Sequence, residues 1–207
     1  MTRPRRRRPA DVARREILQA AEKRLAESGP AGLRLQDVAA DVGISHPAVL
    51  HHFGSREGLV HAVIEQAITG LQEDLVRSLG ATRHGDAPDA AALFEQVFET
   101  LSGRGHARLM AWLLLAGYDP FNETARANWA EIGKVTHALR LERVKGKGKP
   151  TYEDTMFAIM LSALALFGQA IAGRATFRVA GLEADPRTER RFRKWLAELL
   201  SKHLDAG

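Results

Sequence analysis

The sequence contains no cysteine among its 207 residues. Disulfides, thiolate-bound zinc, iron–sulfur clusters and cysteine nucleophiles are therefore excluded. The chain also lacks a glycine-rich phosphate loop, a G-x-S-x-G nucleophile motif and an H-E-x-x-H zinc motif. These absences speak against the common enzyme classes, so we expect a protein that is not an enzyme and that uses no metal and no cofactor.

Strand patterns are equally scarce. Alternating β-branched runs and Asn-Gly turns are missing, whereas apolar residues recur at helical spacing along the whole chain. The sequence therefore predicts an all-α protein, with helices over about 11–28, 35–42, 46–53, 56–79, 89–102, 106–118, 121–143, 152–174 and 187–203.

The longest apolar run, residues 156–173, reaches only the lower edge of a membrane-spanning length. It contains Ser162 and Gln169, and nothing else in the chain resembles a membrane segment. The basic N-terminus leads into no apolar run, unlike a secretory signal. We therefore expect a buried helix in a cytoplasmic protein with no membrane partner.

Positive charge is concentrated at one end of the chain. Residues 1–60 hold 11 Lys and Arg against 7 Asp and Glu, whereas residues 61–207 hold 19 against 18. A basic N-terminal module on a nearly neutral body indicates a polyanionic partner for that module alone. The arginine-rich segment over 1–10 is expected to be a disordered arm, which either reaches DNA phosphates or only aids solubility.

The stretch GISHPAVLHHF, residues 43–53, has the pattern of a turn followed by a short helix. With the helix predicted over 35–42, it forms a helix-turn-helix, whose second helix enters the major groove of DNA. The candidate DNA contacts are small, planar or cationic side chains near the start of that helix and of its neighbours: Arg34, Ser45, His46, Pro47, Ala48, His51, His52, Ser55 and Arg56.

Adjacent histidines also suggest a metal site. However, His51 and His52 point about 100° apart on a helix, so they do not readily share one ion. We interpret His51 as a DNA contact, with a solvated surface residue as the alternative. His52 is expected to be structural or to contact a phosphate.

The segment LQDVAADVGISHPAVLHHFGSREGLV resembles the DNA-binding module of the TetR family of bacterial transcriptional regulators. The resemblance covers about residues 14–64, and its matching residues are Asp37-Val38-Ala39, Gly43-Ile44-Ser45, His52-Phe53, Ser55-Arg56-Glu57 and Leu59. It implies a three-helix DNA-binding module followed by a larger helical ligand-binding and dimerisation domain. It also implies a homodimeric repressor that leaves a palindromic operator in double-stranded DNA when a small-molecule effector binds.

The chain departs from the family pattern at three positions. Arg34 stands where the family usually has a threonine or serine, Leu50 stands where a phosphate-contacting tyrosine is common, and Gly54 replaces a lysine or proline. We therefore expect Arg34 and Arg56 to supply charge to the phosphates. The predicted domains are the arm over 1–10, a DNA-binding domain over 11–56, and a ligand-binding and dimerisation domain over 57–207.

Two further sets of residues are candidates for the larger domain. Large apolar side chains that could line an effector pocket, or simply form core, are Phe94, Phe98, Met110, Trp112, Tyr118, Phe121, Trp129, Met156 and Met160. Small and apolar residues on the last two helices could form a four-helix dimer interface, or an internal core: Ser162, Ala165, Gly168, Ala172, Phe192, Trp195 and Leu199.

Two other functions are alternatives to a transcriptional regulator. A helical adaptor or membrane-surface protein would use the basic arm on anionic lipid. A pocket enzyme would need Asp119 or Glu123 near His137, and no motif in the chain supports such a site.

Overall fold

The computed structural model describes residues 9–82, 89–103, 105–144 and 149–206. Residues 1–8 of the predicted arm lie outside the described residues. Residues 83–88 and 145–148, which belong to two predicted loops, also lie outside them. The described residues form α-helices joined by turns and short irregular segments, and no β-strand occurs among them. The prediction of an all-α fold is confirmed.

In chain order the helices are α1 (Ala10–Gly32), α2 (Leu35–Val42), α3 (His46–Phe53), α4 (Arg56–Gly80), α5 (Ala90–Gly103), α6 (His106–Leu115), α7 (Glu123–Arg143), α8 (Tyr152–Val179) and α9 (Pro186–Ala206).

Most helix ends lie within three residues of the prediction, whereas α1 and α8 end four and five residues later than predicted. Helix α6 ends at Leu115 because Gly117 adopts a left-handed φ of 83°. The N–H groups of Gly117 and Tyr118 then bond back to the carbonyls of Leu114 and Leu113, at 3.1 and 3.0 Å. This hydrogen-bond pattern closes the helix. Helix α8 continues past the predicted end to Val179, because neither glycine nor proline occurs between Arg174 and Gly181.

The first compact unit consists of Met1–Gln66 and Leu109–Pro120. Within it α2 packs against α1 and α3. Its fully buried side chains include Ile17, Val38, Val49, Leu59 and Leu113. Leu113 comes from the second, non-contiguous piece of this unit. The core around the helix-turn-helix is therefore completed by residues that follow α5 in the sequence.

The second compact unit consists of Ala67–Arg108 and Phe121–Gly207. Here α8 packs against α5, α7 and α9, and α5 also packs against α9. The division falls inside α4 and α6, so each of these helices contributes residues to both units. The predicted DNA-binding domain over 11–56 and ligand-binding domain over 57–207 were defined by function and not by compact packing. This division remains a prediction.

A buried arginine joins three helices of the second unit. The side chain of Arg140 on α7 is only 1% exposed, and its guanidinium donates to the Asp154 carboxylate of α8 at 2.5 Å. It also donates to the backbone carbonyl of Leu204 near the end of α9, at 2.9 Å. His203 bonds the same Asp154 carboxylate at 3.1 Å. The hydrogen bond from Arg140, and then that from His203, lower the pKa of Asp154.

Candidate nucleic-acid interface

The turn between α2 and α3 has the geometry that the sequence predicted. Gly43 adopts a left-handed φ of 72°, which a residue with a Cβ atom rarely adopts. Its N–H donates to the carbonyl of Ala40 at 3.1 Å, and the N–H of Ile44 donates to that of Ala39 at 3.0 Å. These bonds end α2 and send the chain directly into α3. The helix-turn-helix therefore occupies residues 35–53, as predicted.

Helix α3 begins at a capped and exposed end. Ser45 is extended, and its Oγ accepts a hydrogen bond from the N–H of Ala48 at 3.4 Å. Val49 is fully buried and fixes the inner side of the helix. Pro47 and His51, four residues apart, are exposed on its outer side.

The remaining predicted contacts of this segment are less exposed. His46, Ala48 and His52 are half-buried. Arg34 is exposed and stands at the position preceding α2, where its side chain makes no capping hydrogen bond. The exposed end of α3 and the exposed arginine before α2 are features that a groove-reading helix and a phosphate contact require.

Two cationic contacts that the sequence did not predict brace the module. Arg24 on α1 forms a two-pronged pair with Asp41 on α2, at 2.5 and 2.8 Å, and lies 3.6 Å from Asp37. The hydrogen bond from Arg24 lowers the pKa of Asp41. The Arg14 guanidinium lies 4.7 Å from the centre of the Phe53 ring at the end of α3. No local spacing in the sequence indicates these pairs, because their partners lie on different helices.

Helix α4 starts tightly against the end of α3. The Oγ of Ser55 accepts a hydrogen bond from the N–H of Gly58 at 3.0 Å. A Cβ atom at Gly58 would lie only 2.1 Å from the carbonyl oxygen of Phe53. The close approach sets the corner through which the candidate recognition helix joins α4.

Arg56, predicted to bind phosphate, lies near Glu57 and Trp112 at this corner. Its Nε lies 3.2 Å from Oε1 of Glu57, and its guanidinium lies 5.6 Å from the centre of the Trp112 ring on α6. A hydrogen bond from the Glu57 backbone N–H, and then that from Arg56, lower the pKa of the Glu57 carboxyl. The sequence predicted Arg56 as a phosphate contact and Trp112 as an effector-pocket residue. In the structure the two side chains lie next to each other.

The adjacent histidines do not converge on a common point. The rings of His51 and His52 are 5.8 Å apart and nearly edge-on. Within residues 9–82, 89–103, 105–144 and 149–206, no group of three or more His, Asp or Glu side chains could hold a metal ion.

The residues predicted to line an effector pocket are divided between the two units. Met110, Trp112 and Tyr118 belong to the first unit, and the other six belong to the second. In the second unit Phe98 is covered by the Arg193 guanidinium at 3.8 Å, and Met156 packs tightly against Gly133. A shallow cavity in that unit is lined by other residues: Ser78, Thr82, Asp89, Ala92, Leu93 and Gln96.

The second unit also contains buried polar atoms on α4 and α7. Thr69 Oγ1 and Gln72 Oε1 on α4, and Asn128 Nδ2 on α7, are buried and have no hydrogen-bond partner within the described part of the chain. Thr69 and Gln72 lie three residues apart and therefore on neighbouring positions of one helix face. Such atoms are suited to bind a polar group of a ligand.

The predicted dimer residues lie on α8 and α9, beside large exposed apolar side chains. Phe157 and Leu164 on α8 are 58% and 64% exposed, and Trp195 on α9 is 56% exposed. Of the predicted set, Gly168, Ala172, Trp195 and Leu199 are exposed, whereas Ser162, Ala165 and Phe192 are half-buried. Among the described helices only α8 is long and apolar enough to cross a membrane, and 22% of its most apolar stretch is buried in the single chain.

Comparison with known proteins identifies a family that matches the N-terminal module and relatives that match most of the chain. The family described as "Bacterial regulatory proteins, tetR family" matches residues 17–63. The HTH-type transcriptional repressor Rv3405c of Mycobacterium tuberculosis and the HTH-type transcriptional regulator Mb3439c of Mycobacterium bovis are each 36% identical over 150 residues. The aligned stretch covers 72% of this chain and 66% of each relative, so the chain spans just under two thirds of their length.

Solved structures share the fold at low sequence identity. A TetR-family transcriptional regulator from Pectobacterium atrosepticum is 21% identical, with a TM-score of 0.63 and coverage of 97% of both chains. A TetR-family regulator from Streptomyces coelicolor is 16% identical, with a TM-score of 0.58 and coverage of 94% of this chain and 81% of that one.

Proposed function

Because the chain belongs to the TetR family of bacterial regulatory proteins, we propose that it is a homodimeric transcriptional repressor. It binds a palindromic operator in double-stranded DNA and releases it when a small, largely apolar effector binds. The proteins of this family are transcriptional regulators and not enzymes, in agreement with the sequence-based expectation. The cytoplasm is the compartment that such a DNA-binding protein requires.

The observation that carries the DNA-binding role is the exposed, capped start of α3 after the left-handed Gly43. Pro47 and His51 lie on the outer side of this helix, and Ser45 lies at its tip. An α3 that enters the major groove would therefore present them to base edges. The excess positive charge of residues 1–60 favours the DNA polyanion over a neutral partner.

The proposed homodimer is supported by the apolar surface of α8 and α9. Large exposed side chains on both helices, Phe157, Leu164 and Trp195, would be covered by the same helices of a second copy. The same surface explains why α8 is apolar without spanning a membrane. It packs against three helices of its own unit and buries the polar side chains of Thr155 and Gln169.

The proposed effector acts on α4, which runs from the DNA-facing corner at Arg56 into the second unit. A ligand displaces this helix only if it binds the released state more tightly than the DNA-bound state. Besides the apolar residues predicted for the pocket, Gln72 Oε1 offers a buried acceptor to the ligand. We therefore propose an effector with an apolar body and at least one hydrogen-bond donor.

Selection of bound sequences from a random DNA pool tests the proposal. We expect enrichment of an inverted repeat whose half-sites lie about one DNA turn, ~34–36 Å, apart. The matched control is the chain carrying both His46→Ala and His51→Ala. It should fold normally by circular dichroism and enrich either a different sequence or none.

Enrichment of a single, unrepeated site would contradict the dimeric part of the proposal. Binding to anionic lipid vesicles with no enrichment of any DNA sequence would replace it with a membrane-surface function.

A further inference from the structure

Two neighbouring residues at the start of α4, Ser55 and Arg56, are candidates for phosphate binding. Ser55 caps the helix through its Oγ, and Arg56 follows it directly. The side chain of Arg56 is 36% exposed, so it is neither buried in the unit nor free in solvent. The orientation of its guanidinium is therefore set by the side chains that contact it.

The ring beside Arg56 belongs to a firmly anchored helix. Trp112 lies next to Leu113, which is fully buried, and near Leu109, which is 2% exposed. Farther along the same segment, the backbone carbonyl of Asp119 is 2.8 Å from Nε2 of His61 on α4. The segment 109–120 therefore meets α4 at Arg56 and at His61, and the indole ring lies next to the corner between α3 and α4.

A contact with an aromatic face does not involve the N–H groups of an arginine as hydrogen-bond donors. A guanidinium that lies over a ring interacts through its flat face, whereas its N–H groups point outward in the guanidinium plane. The Nε group lies against Glu57, which fixes the rotation of that plane. An arginine held in this way loses less conformational entropy when it binds a phosphate than a freely rotating one does.

We propose that Trp112 is a positioning residue, which holds the Arg56 guanidinium in the orientation that binds a DNA phosphate. This inference rests on the proposed DNA-binding function and adds a residue of α6 to it. Trp112 does not touch DNA itself. Because α6 starts at His106, among residues of the second unit, a displacement of α6 would also move the ring that orients Arg56.

The test is a double-mutant cycle in DNA affinity, measured on the selected operator and on random-sequence DNA at several salt concentrations. Variants are Trp112→Leu, Trp112→Phe, Arg56→Ala and the double variant Arg56→Ala with Trp112→Leu. Tyr152→Leu is the control, because Tyr152 is also an aromatic residue but lies at the start of α8, outside every set of candidate site residues. Circular dichroism verifies that each variant folds.

We expect Trp112→Leu to weaken binding by about 2–5-fold on both DNAs, the range of an exposed cation–π contact. Trp112→Phe keeps an aromatic face and should retain most of the affinity. In the Arg56→Ala background, Trp112→Leu should have no further effect. Arg56→Ala should reduce the salt slope by about 1, and Tyr152→Leu should change neither the affinity nor the salt slope.

The proposal is overturned if Trp112→Leu weakens binding equally with and without Arg56, since that result would indicate a general structural role. It is also overturned if Trp112→Leu leaves affinity unchanged. A wild-type chain that binds all sequences alike, but still shows the Arg56–Trp112 coupling, would refute the proposed regulator and support the positioning role. A chain with no DNA binding would refute both.

Discussion

Gly58 and Gly70 are two glycines on one helix, and the sequence gives no reason to treat them differently. The structure separates them. A Cβ atom at Gly58 would approach the carbonyl oxygen of Phe53 to 2.1 Å, whereas a Cβ atom at Gly70 would meet nothing within 4 Å. Only the first glycine is required by its surroundings, because a backbone carbonyl cannot move aside as a flexible side chain can.

Gly58→Ala should therefore destabilise the chain by about 1–3 kcal/mol, the cost of overpacking a closely packed site. Gly70→Ala should instead stabilise it by about 0.5–1 kcal/mol, because alanine favours helix interiors. Chemical denaturation of both variants measures the difference. Equal effects of the two substitutions would show that the α3–α4 corner is looser than the structure indicates.

His51 is exposed on the outer side of α3 and is the proposed base contact of this helix. His51→Ala should remove about 1–3 kcal/mol of discrimination at one base pair in each half-site. Arg56→Ala should weaken binding similarly on every sequence. Competition assays with single-base operator variants separate the two effects, and a uniform loss for His51→Ala would exclude a base contact.

At the scale of helices, the sequence predicted what depends on local patterns. The bounds of α2 and α3 follow from Gly43, Ser45 and the spacing of apolar residues, and the structure reproduces them. The pairs Arg24 with Asp41 and Arg56 with Trp112 could not be predicted in this way. They join side chains on different helices, and only the packing of those helices decides which charges meet.

Arg140 illustrates the same limit in the second unit. The sequence presents it as one arginine among several on α7. Its almost complete burial and its bonds to α8 and α9 arise only when the three helices assemble. Removing one partner of a buried charge is costly, so this cluster is a point on which the packing of the unit depends.

The lowered pKa of Asp154 gives this cluster a dependence on pH. A carboxylate with a lowered folded-state pKa stabilises the fold above its ordinary value of 3.8. That contribution is lost as the pH falls through the lowered folded-state value. Asp154→Asn should therefore reduce stability near neutral pH and flatten the acid limb of a stability–pH profile.

Asp205→Asn is the control for this prediction. It removes a partly exposed pair with Arg143 at the same end of α9, which should be worth less than about 1 kcal/mol. An unchanged acid limb in Asp154→Asn would show that Asp154 does not contribute to the pH dependence.

For the molecule as a whole, the exposed apolar surface of α8 and α9 predicts the state of assembly. Leu164→Lys places a charge where the second copy should pack. It should raise the dimer dissociation constant by at least about 100-fold, equivalent to about 3 kcal/mol. Sedimentation velocity measures the change, and binding to the palindromic DNA should weaken in parallel.

Leu115→Lys is the corresponding control, because Leu115 is 90% exposed but lies on α6. It should leave the sedimentation coefficient unchanged. If both variants sediment as the wild type does, the apolar surface of α8 is covered by something other than a second copy.

The non-contiguous piece Leu109–Pro120 has a consequence for how such a protein can be recombined. A chimaera that exchanges everything after Gln66 would inherit a foreign partner for Arg56, His61 and the apolar side chains beside them. The N-terminal unit would then keep its own residues up to Gln66 but lose residues 109–120, which complete its core. Functional hybrids of this chain should therefore arise only when the crossover carries residues 109–120 along with their native N-terminal half.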